Sequence, residues 1–145
     1  MQNFYVDTCI YLNLWQKEKG IIFGKPFWLI AKEFFEYAEN QDSVIYYSGF
    51  TLKELYYKLT KNEFIKKKNF IESSPNFFKI ALSKNEYERA GEIKIKLNSA
   101  LSFFDITHLI LARKTNSLFI TRDKELLKIA RRFGVIAKKP EEIIH

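Results

Sequence analysis

Apolar residues follow two different periods along this chain. Short runs of consecutive apolar residues predict strands, whereas stretches in which apolar residues recur every three or four positions predict amphipathic helices. The predicted strands cover residues 4–6, 44–47, 77–81, 118–120 and 135–137. The predicted helices cover residues 8–17, 27–38, 52–59, 61–72, 84–97, 104–114 and 124–133. Because strands alternate with helices, we expect an α/β fold whose mostly parallel sheet is covered by helices on both faces.

The segments between these elements carry turn residues but nothing that resembles a linker. Gly20, Gly24 and Pro26 predict a turn before the second helix. Gly134 caps the last predicted helix, and Pro140 should end the regular structure. The sequence has no internal repeat and no low-complexity tract, so residues 1–145 should form one domain.

Four acidic residues lie where predicted strands end or predicted helices begin. Asp7 directly follows the first strand, and Asp123 follows the fourth after two intervening residues. Glu54 and Asp105 lie near the starts of two helices. In a parallel sheet these positions share the edge at which ligands bind. Carboxylates that meet there repel one another unless a cation lies among them, and a hard divalent ion such as Mg²⁺ suits oxygen ligands.

Each of these acids also has a simpler explanation, because acidic side chains cap helices. Asp7, Asp105 and Asp123 lie near helix starts, where a carboxylate satisfies orphan amides. Thr51 and Glu54 match a capping box, in which Glu54 would reach back to the amide of Thr51. Capping explains each acid singly, whereas the shared position of all four at one sheet edge favours a common site.

Composition limits the classes of protein to which this chain can belong. Hydrophobic residues make up 47% and aromatic residues 17% of the chain, which is typical of a folded globule. The net charge of +7 favours a polyanionic partner, either nucleic acid or an acidic protein, although a need for solubility explains it equally well. The single cysteine, the lack of a signal-peptide pattern and the lack of a membrane-spanning apolar stretch fit a cytoplasmic protein.

The sequence lacks the patterns of several other catalytic classes. Its five glycines form neither of the common phosphate-binding loops. A phosphatase with an aspartyl nucleophile needs a second aspartate two residues after Asp7, where this chain has Cys9. His108 and His145 are too few for a common zinc site. His108 lies one helical turn after Asp105, and a packed or solvent-facing histidine is the more frequent case there than one that touches substrate or a metal-bound water.

Four segments of the chain resemble the motifs of PIN domains. They are Val6-Asp7-Thr8 after the first strand, Leu52-Lys53-Glu54-Leu55, residues 104–112 around Asp105, and residues 118–126, in which Thr121-Arg122-Asp123 follows a strand. The last segment is the most specific of the four. The order and rough spacing of the motifs hold over nearly the whole chain.

The resemblance implies a three-layer α/β/α sandwich and a ribonuclease that hydrolyses RNA phosphodiester bonds with Mg²⁺ or Mn²⁺. The catalytic and metal-binding acids of the family correspond here to Asp7, Glu54, Asp105 and Asp123. Thr121 corresponds to a polar helper beside them. The family often has Asn or Ser where this chain has Cys9. The size of the chain resembles VapC-type toxins of toxin–antitoxin pairs, which implies an antitoxin partner and a two-fold homodimer.

Two features bear on partners, and two other functions stay open. Residues 105–145 hold nine Lys or Arg residues against five acids, so this part of the chain either binds RNA or presents a solvated basic face. The many aromatic residues either fill a Phe-rich core or exceed what one small core can bury, and an excess would favour an interface with a second copy or an antitoxin. They include Trp15, Phe23, Phe27, Trp28 and Phe64. The alternatives are a PIN-domain nuclease in rRNA processing or RNA decay, and a non-catalytic module that binds RNA or protein.

Overall fold

The computed structural model describes residues 2–17, 20–97 and 101–144, so His145 lies outside the described residues. Its strands are β1 (Asn3–Val6), β2 (Ile21–Ile22), β3 (Lys25–Pro26), β4 (Val44–Tyr47), β5 (Phe77–Lys79), β6 (Leu118–Ile120) and β7 (Ala137–Lys138). Its helices are α1 (Thr8–Trp15), α2 (Phe27–Asn40), α3 (Gly49–Lys58), α4 (Lys61–Ser73), α5 (Lys84–Leu97), α6 (Phe103–Lys114), α7 (Lys124–Ile129) and α8 (Pro140–Ile144). A 3₁₀ helix at Ala130–Phe133 continues α7. No helix in the described part of the chain is both long and apolar enough to cross a membrane.

Five strands form one sheet in the order β5-β4-β1-β6-β7, and every neighbouring pair is parallel. From β1 the chain builds outward through β4 and β5, and then crosses to the other side of β1 for β6 and β7. The crossovers on the two sides of β1 therefore leave in opposite directions and open a crevice at the carboxyl ends of the strands. Asp7 follows β1 and Thr121 follows β6 at this crevice. The predicted α/β fold with a mostly parallel sheet is confirmed.

Alternate residues of the central strand β1 face opposite layers of helices, as the two-residue period of a strand requires. Phe4 and Val6 pack in a core with residues of α1, α2 and α3. Tyr5 packs in a second core with residues of α5, α6 and α7. The sheet thus lies between two helical layers, and the three-layer α/β/α sandwich is confirmed.

Several elements differ from the predictions made from sequence. β2 and β3 pair as an antiparallel hairpin where the glycines predict only a turn. Phe23 and Gly24 at its tip have φ of 51° and 75°, the left-handed pair that a two-residue hairpin turn requires. The prediction that regular structure ends at Pro140 is wrong, because the fixed φ of proline suits the first position of α8. β7 begins at Ala137, two residues later than predicted.

Candidate metal centre

Asp7 occupies the N-cap position of α1, but its side chain does not cap that helix. The carboxylate is instead buried at the crevice, with 6% of the residue exposed. Its Oδ2 atom accepts a hydrogen bond from Oγ1 of Thr121 at 2.6 Å and one from Sγ of Cys9 at 3.3 Å. The thiol of Cys9 therefore supplies a hydrogen bond at the position where the family often has Asn or Ser.

Thr121 ties the ends of β1 and β6 together. It is fully buried, donates its hydroxyl proton to Asp7, and accepts a hydrogen bond from the backbone amide of Asp123 at 3.1 Å. One hydroxyl thus fixes both the rotamer of Asp7 and the turn that carries Asp123. Thr121 thus contacts Asp7 directly, and the family resemblance implies a polar residue beside the acids at this position.

Glu54 does not take part in a capping box, so the simpler reading of that acid is wrong. The cap of α3 is formed by Ser48 and Thr51, whose side chains each accept from the other's backbone amide. Oε1 of Glu54 accepts instead from Oγ1 of Thr8 at 2.9 Å and from Nε2 of His108 at 2.5 Å. Because the helix starts three residues earlier than the sequence suggests, Glu54 lies in its second turn and faces the crevice.

His108 is completely buried, as a packed histidine should be, yet it contacts the site. Nε2 faces Glu54, and Nδ1 lies 2.7 Å from the hydroxyl of Tyr5, which lies 2.8 Å from Oγ of Ser48. A buried chain of polar groups therefore runs from Ser48 to Glu54. From sequence, a packed or solvent-facing histidine was the favoured interpretation and contact with the site the less favoured one; His108 is both packed and in contact with Glu54.

Burial and neighbouring charges shift the pKa values of Asp7 and His108. Burial raises the pKa of Asp7, an effect that His108 and Thr121 oppose and that the charge of Glu54 reinforces. Burial lowers the pKa of His108, but Tyr5, Glu54 and Asp7 outweigh it and raise that pKa to about 10. The imidazole is therefore protonated at neutral pH, and it donates to Glu54 from Nε2 and to Tyr5 from Nδ1.

Asp105 and Asp123 use their carboxylates as helix caps, as the simpler reading of these two acids predicts. Oδ2 of Asp105 accepts from the amide of Ser102 at 3.0 Å in a reciprocal capping box. Oδ1 of Asp123 accepts from the amides of Glu125 and Leu126 at 2.9 and 3.1 Å. Burial raises the pKa of Asp105, and the charge of Asp123 raises it further, so the two acids lie within electrostatic range of each other.

The described residues bring together one three-residue group that suits a metal ion. Ligand atoms of Asp7, Glu54 and His108 all lie within 4.8 Å of one another. Asp105 and Asp123 are not members of this group, although the charge of His108 acts on Asp105. Of the four acids proposed from sequence, the structure therefore brings Asp7 and Glu54 into direct proximity and leaves the other pair beside them.

The donor set fits a hard divalent cation. Within the described residues, the hydrogen bonds to Asp7 and Glu54 end on Oδ2 and Oε1, which leaves Oδ1 and Oε2 for a ligand. Carboxylate oxygens in this arrangement are the ligands that Mg²⁺ and Mn²⁺ prefer. A bound cation would also relieve the burial penalty on the charge of Asp7, which raises its pKa in the metal-free protein.

Arg122 does not belong to the basic surface predicted for residues 105–145. Its guanidinium forms a two-point ion pair with buried Glu141 of α8, with Nη1–Oε2 and Nη2–Oε1 distances of 3.1 and 2.9 Å. Nε donates to Asn13 at 3.2 Å, and the group lies 4.0 Å from the centre of the Phe27 ring. Arg122 is therefore neutralised inside the protein and does not contribute to a phosphate-binding face.

Several solved structures of other proteins have a fold similar to that of this chain. The structure is similar to VapBC2 from Rickettsia felis bound to a promoter DNA fragment, with a TM-score of 0.64, 16% identity, and coverage of 95% of this chain and 98% of that chain. It is similar to FitAcB from Neisseria gonorrhoeae, with a TM-score of 0.59, 13% identity, and coverage of 95% and 98%. A domain of a functionally unknown protein from Methanocaldococcus jannaschii DSM 2661 gives a TM-score of 0.58 and 18% identity, with coverage of 96% and 91%.

Sequence comparison gives the family. A search of curated proteins found no match. The family model described as PIN domain matches residues 4–132, which include both strands of the crevice and all four acids. The chain therefore belongs to the PIN domain family.

Proposed function

We propose that this chain is a metal-dependent endoribonuclease and the toxin of a toxin–antitoxin pair. The observation that carries the proposal is the pair of carboxylates of Asp7 and Glu54, which lie together at the switch point of a parallel sheet and do not cap helices. Asp105 and Asp123 add negative charge beside them. PIN domains are generally nucleases, and the retained acids favour an active enzyme over a non-catalytic module.

Each residue of the site has a distinct task in this proposal. Asp7 and Glu54 would hold Mg²⁺ or Mn²⁺, and such a cation lowers the pKa of a bound water and stabilises negative charge on the attacked phosphate. Thr121 and Cys9 fix one oxygen of Asp7, and Thr8 and His108 fix one oxygen of Glu54. Both carboxylates are thus held in one orientation before any ligand arrives, so little ordering is required when the ligand binds.

RNA suits the charge of the chain as a substrate. The net charge of +7 favours a polyanion, and exposed side chains such as Arg131 and Arg132 lie on the 3₁₀ helix that follows α7. Lys and Arg side chains in such positions neutralise phosphates without reading sequence. We therefore expect affinity to depend strongly on salt.

A cleavage assay on total RNA tests the proposal. The purified chain should cleave RNA with Mn²⁺ or Mg²⁺ and not in EDTA, and Asp7→Asn should remove the activity. Asp42→Asn is the matched control, because Asp42 is exposed and its φ of 52° suits asparagine equally well. Cleavage that persists in Asp7→Asn, or that is unaffected by EDTA, would overturn the metal-dependent nuclease.

The antitoxin part of the proposal rests on the similar structures and on an apolar cavity. VapBC2 and FitAcB are toxin–antitoxin complexes. In this chain a cavity of about 180 Å³ opens between α1, α2, α4 and β5. Most of its wall is aromatic or aliphatic: Tyr11, Leu14, Trp15, Phe35, Phe70, Pro75 and Phe77. Apolar clefts of this kind receive the apolar face of a partner helix.

Co-expression tests the partner. A small reading frame adjacent to this one should encode a protein that co-purifies with the chain and inhibits its ribonuclease. Trp15→Glu should weaken that complex while the free chain keeps its cleavage of RNA, because Trp15 lies at the far end of α1 from Asp7. An active chain with no such neighbour would favour a nuclease of rRNA processing or RNA decay.

We also propose a homodimer, on the grounds of exposed apolar side chains. Phe23 is 77% and Ile65 46% exposed, whereas Trp15, Phe27, Trp28 and Phe64 are partly buried. Light scattering at micromolar concentration should give twice the chain mass of 17.3 kDa. A chain that stays monomeric on concentration would overturn the dimer and leave the nuclease proposal intact.

A further inference from the structure

A second cavity, of about 410 Å³, lies directly beside the acidic site. It opens between α3 and the start of α6 and is lined by Glu54, Tyr57, Lys58, Ser102, Phe103 and Phe104. Glu54 thus forms part of the wall of this cavity and also holds the hydrogen bonds from Thr8 and His108. Any molecule bound in the cavity lies next to a carboxylate of the metal centre.

The helical period explains why these side chains share one cavity. Tyr57 and Lys58 follow Glu54 by three and four positions, so α3 presents all three on adjoining parts of its surface. On the opposite wall, Phe103 and Phe104 occupy the first turn of α6, directly before Asp105. The same two helices therefore position two acids of the site and the rings beside them.

Aromatic packing behind each wall holds the rings in place. The Tyr57 ring is 63% exposed and lies edge-on to Tyr56 at 6.0 Å, and Tyr56 packs on Phe64 at 5.3 Å. On the other wall, the Phe104 ring packs on Phe50 at 5.5 Å and is only partly buried. Rings that are supported from behind and open in front lose little conformational freedom when a ligand stacks on them.

We infer that this cavity binds an unpaired base of the RNA substrate, which stacks on Tyr57 and on the Phe103–Phe104 wall while Lys58 contacts the adjacent phosphate. A base has two apolar faces and suits a cavity in which three of the six lining residues are aromatic. Both faces are covered in a duplex, so the substrate would be single-stranded at the cleavage site. The inference rests on the proposed nuclease and specifies the form of RNA that it accepts.

The position of the cavity favours a nucleotide over a protein as its occupant. A base seated there brings its own phosphodiester towards the metal-binding carboxylates, because Glu54 lines the cavity. The lysine on the wall also complements a phosphate. A protein occupant is the alternative outcome of the test below.

Binding without cleavage tests the inference. The probe is an eight-nucleotide single-stranded RNA that contains 2-aminopurine, compared with the same strand in a duplex, and the protein is the Asp7→Asn chain. The single strand should bind more tightly, and the fluorescence of the analogue should change as it stacks. Tyr57→Ala should weaken binding of the single strand about tenfold, which is about 1.4 kcal/mol. Tyr57→Phe, which keeps the ring, should recover that binding.

Two controls separate stacking from other effects. Tyr37→Ala removes an exposed ring from α2 and should leave the affinity unchanged. Lys58→Gln should reduce the salt dependence of binding, whereas Tyr57→Ala should leave that dependence unchanged, because stacking releases no counterions. Tyr57 is exposed, so its variants should retain the parent melting temperature.

Other results would overturn the inference. Equal affinity for single strand and duplex would do so, as would a Tyr57→Ala chain that binds like its parent. A change of oligomeric state in Tyr57→Ala, with RNA affinity unchanged, would assign the cavity to a protein interface. Failure of the nuclease proposal is distinguishable. A chain that stacks bases but never cleaves RNA would overturn the nuclease proposal and leave the base-binding cavity supported.

Discussion

The four acids form two pairs whose carboxylates are stabilised in different ways. Asp7 and Glu54 are the inner pair, and Asp105 and Asp123 are the outer pair. Asp7 and Glu54 make no helix cap and are bound by side chains from distant parts of the chain, namely Thr121, Thr8 and His108. Asp105 and Asp123 are bound by backbone amides two or three residues away. The inner pair is thus a product of tertiary structure, whereas the outer pair stabilises two helices whether or not a ligand is present.

The comparison shows that capping and function are not exclusive explanations of an acid. Asp105 and Asp123 satisfy orphan amides and yet place their charges within range of each other at the crevice. Because their structural role persists without metal, we expect the two pairs to respond differently to substitution, pH and metal.

The largest difference should appear in the response to metal. Asp7→Asn should lower RNA cleavage at least a hundredfold, since even outer-shell partners of a metal contribute about 10–100-fold. Mn²⁺ at 100 times its Kd should stabilise the parent by about 2.7 kcal/mol, and Asp7→Asn should lose that gain. Calorimetry and melting curves with and without Mn²⁺ measure both effects. An Asp7→Asn chain that is still stabilised by Mn²⁺ would show that the inner pair does not hold the ion.

The pH dependence of the metal-free chain should separate His108 from the carboxylates. The folded pKa of His108, about 10, is above the unfolded value of 6.5, so its contribution to stability is complete below pH 6.5 and is lost as pH rises towards 10. Each pKa unit corresponds to about 1.4 kcal/mol of stability. Even part of the His108 contribution therefore exceeds the stabilisation that a surface ion pair provides. Melting temperatures in EDTA should fall over that window, and His108→Gln should flatten the fall.

The charge of Asp7, unlike that of His108, should destabilise the metal-free fold. Burial raises its folded pKa above the ordinary value of 3.8, so the metal-free fold loses stability as the pH rises from 3.8 through that folded pKa. Asp7→Asn should therefore raise the melting temperature of the metal-free chain at neutral pH and give no gain in acid. A lower melting temperature at pH 7 would indicate that the charge of Asp7 stabilises the fold.

Two substitutions of Asp105, one that keeps a capping oxygen and one that removes it, should separate its role in capping from its role in cleavage. Asp105→Asn keeps a capping oxygen, so it should lower cleavage while it retains or raises the stability of the metal-free chain. Asp105→Ala should lower cleavage as well and cost about 1 kcal/mol of stability through the lost cap. Urea unfolding measures the difference. Equal destabilisation by both variants would mean that the charge, rather than the cap, supports α6.

The smallest effect should come from the basic surface beside Asp123. Replacing Arg131 and Arg132 together by Gln should reduce the slope of log affinity against log salt by about 2, or about 1 for each phosphate contact. Lys32→Gln, at an exposed position of α2, is a control with no expected change. An unchanged slope in the double variant would place the RNA path elsewhere, with Lys66, Lys67 and Lys68 of α4 as the next candidates.

Local patterns were sufficient to predict most of the fold. The strands at 44–47 and 118–120 were predicted with their observed bounds, because apolar β-prone runs flanked by polar residues leave little choice. The helix predicted over residues 84–97 has its observed bounds, and Ser83 directly before it exchanges hydrogen bonds with Glu86. The hairpin of β2 and β3 was missed because strands of two residues carry too little pattern.

The inner site was only half predictable for a physical reason. The positions of Asp7 and Glu54 follow from the order of the elements, but their partners other than Cys9 come from segments 46 to 114 residues away. The contact of His108 with Glu54 depends on how α6 packs against α3, and no local pattern encodes that. Thr8 offered one usable signal, since it directly follows Asp7 in the first turn of α1.

The ion pair between Arg122 and Glu141 makes the site depend on the last turn of the chain. Arg122 lies between Thr121 and Asp123, and its carboxylate partner lies in α8. A ribosome that stopped before codon 140 would still have translated every acid of the crevice. The product would nevertheless hold a buried guanidinium without its counter-charge, a loss of about 3–5 kcal/mol. A chain truncated before α8 should therefore be less stable than the full chain and should hold Thr121 and Asp123 less firmly.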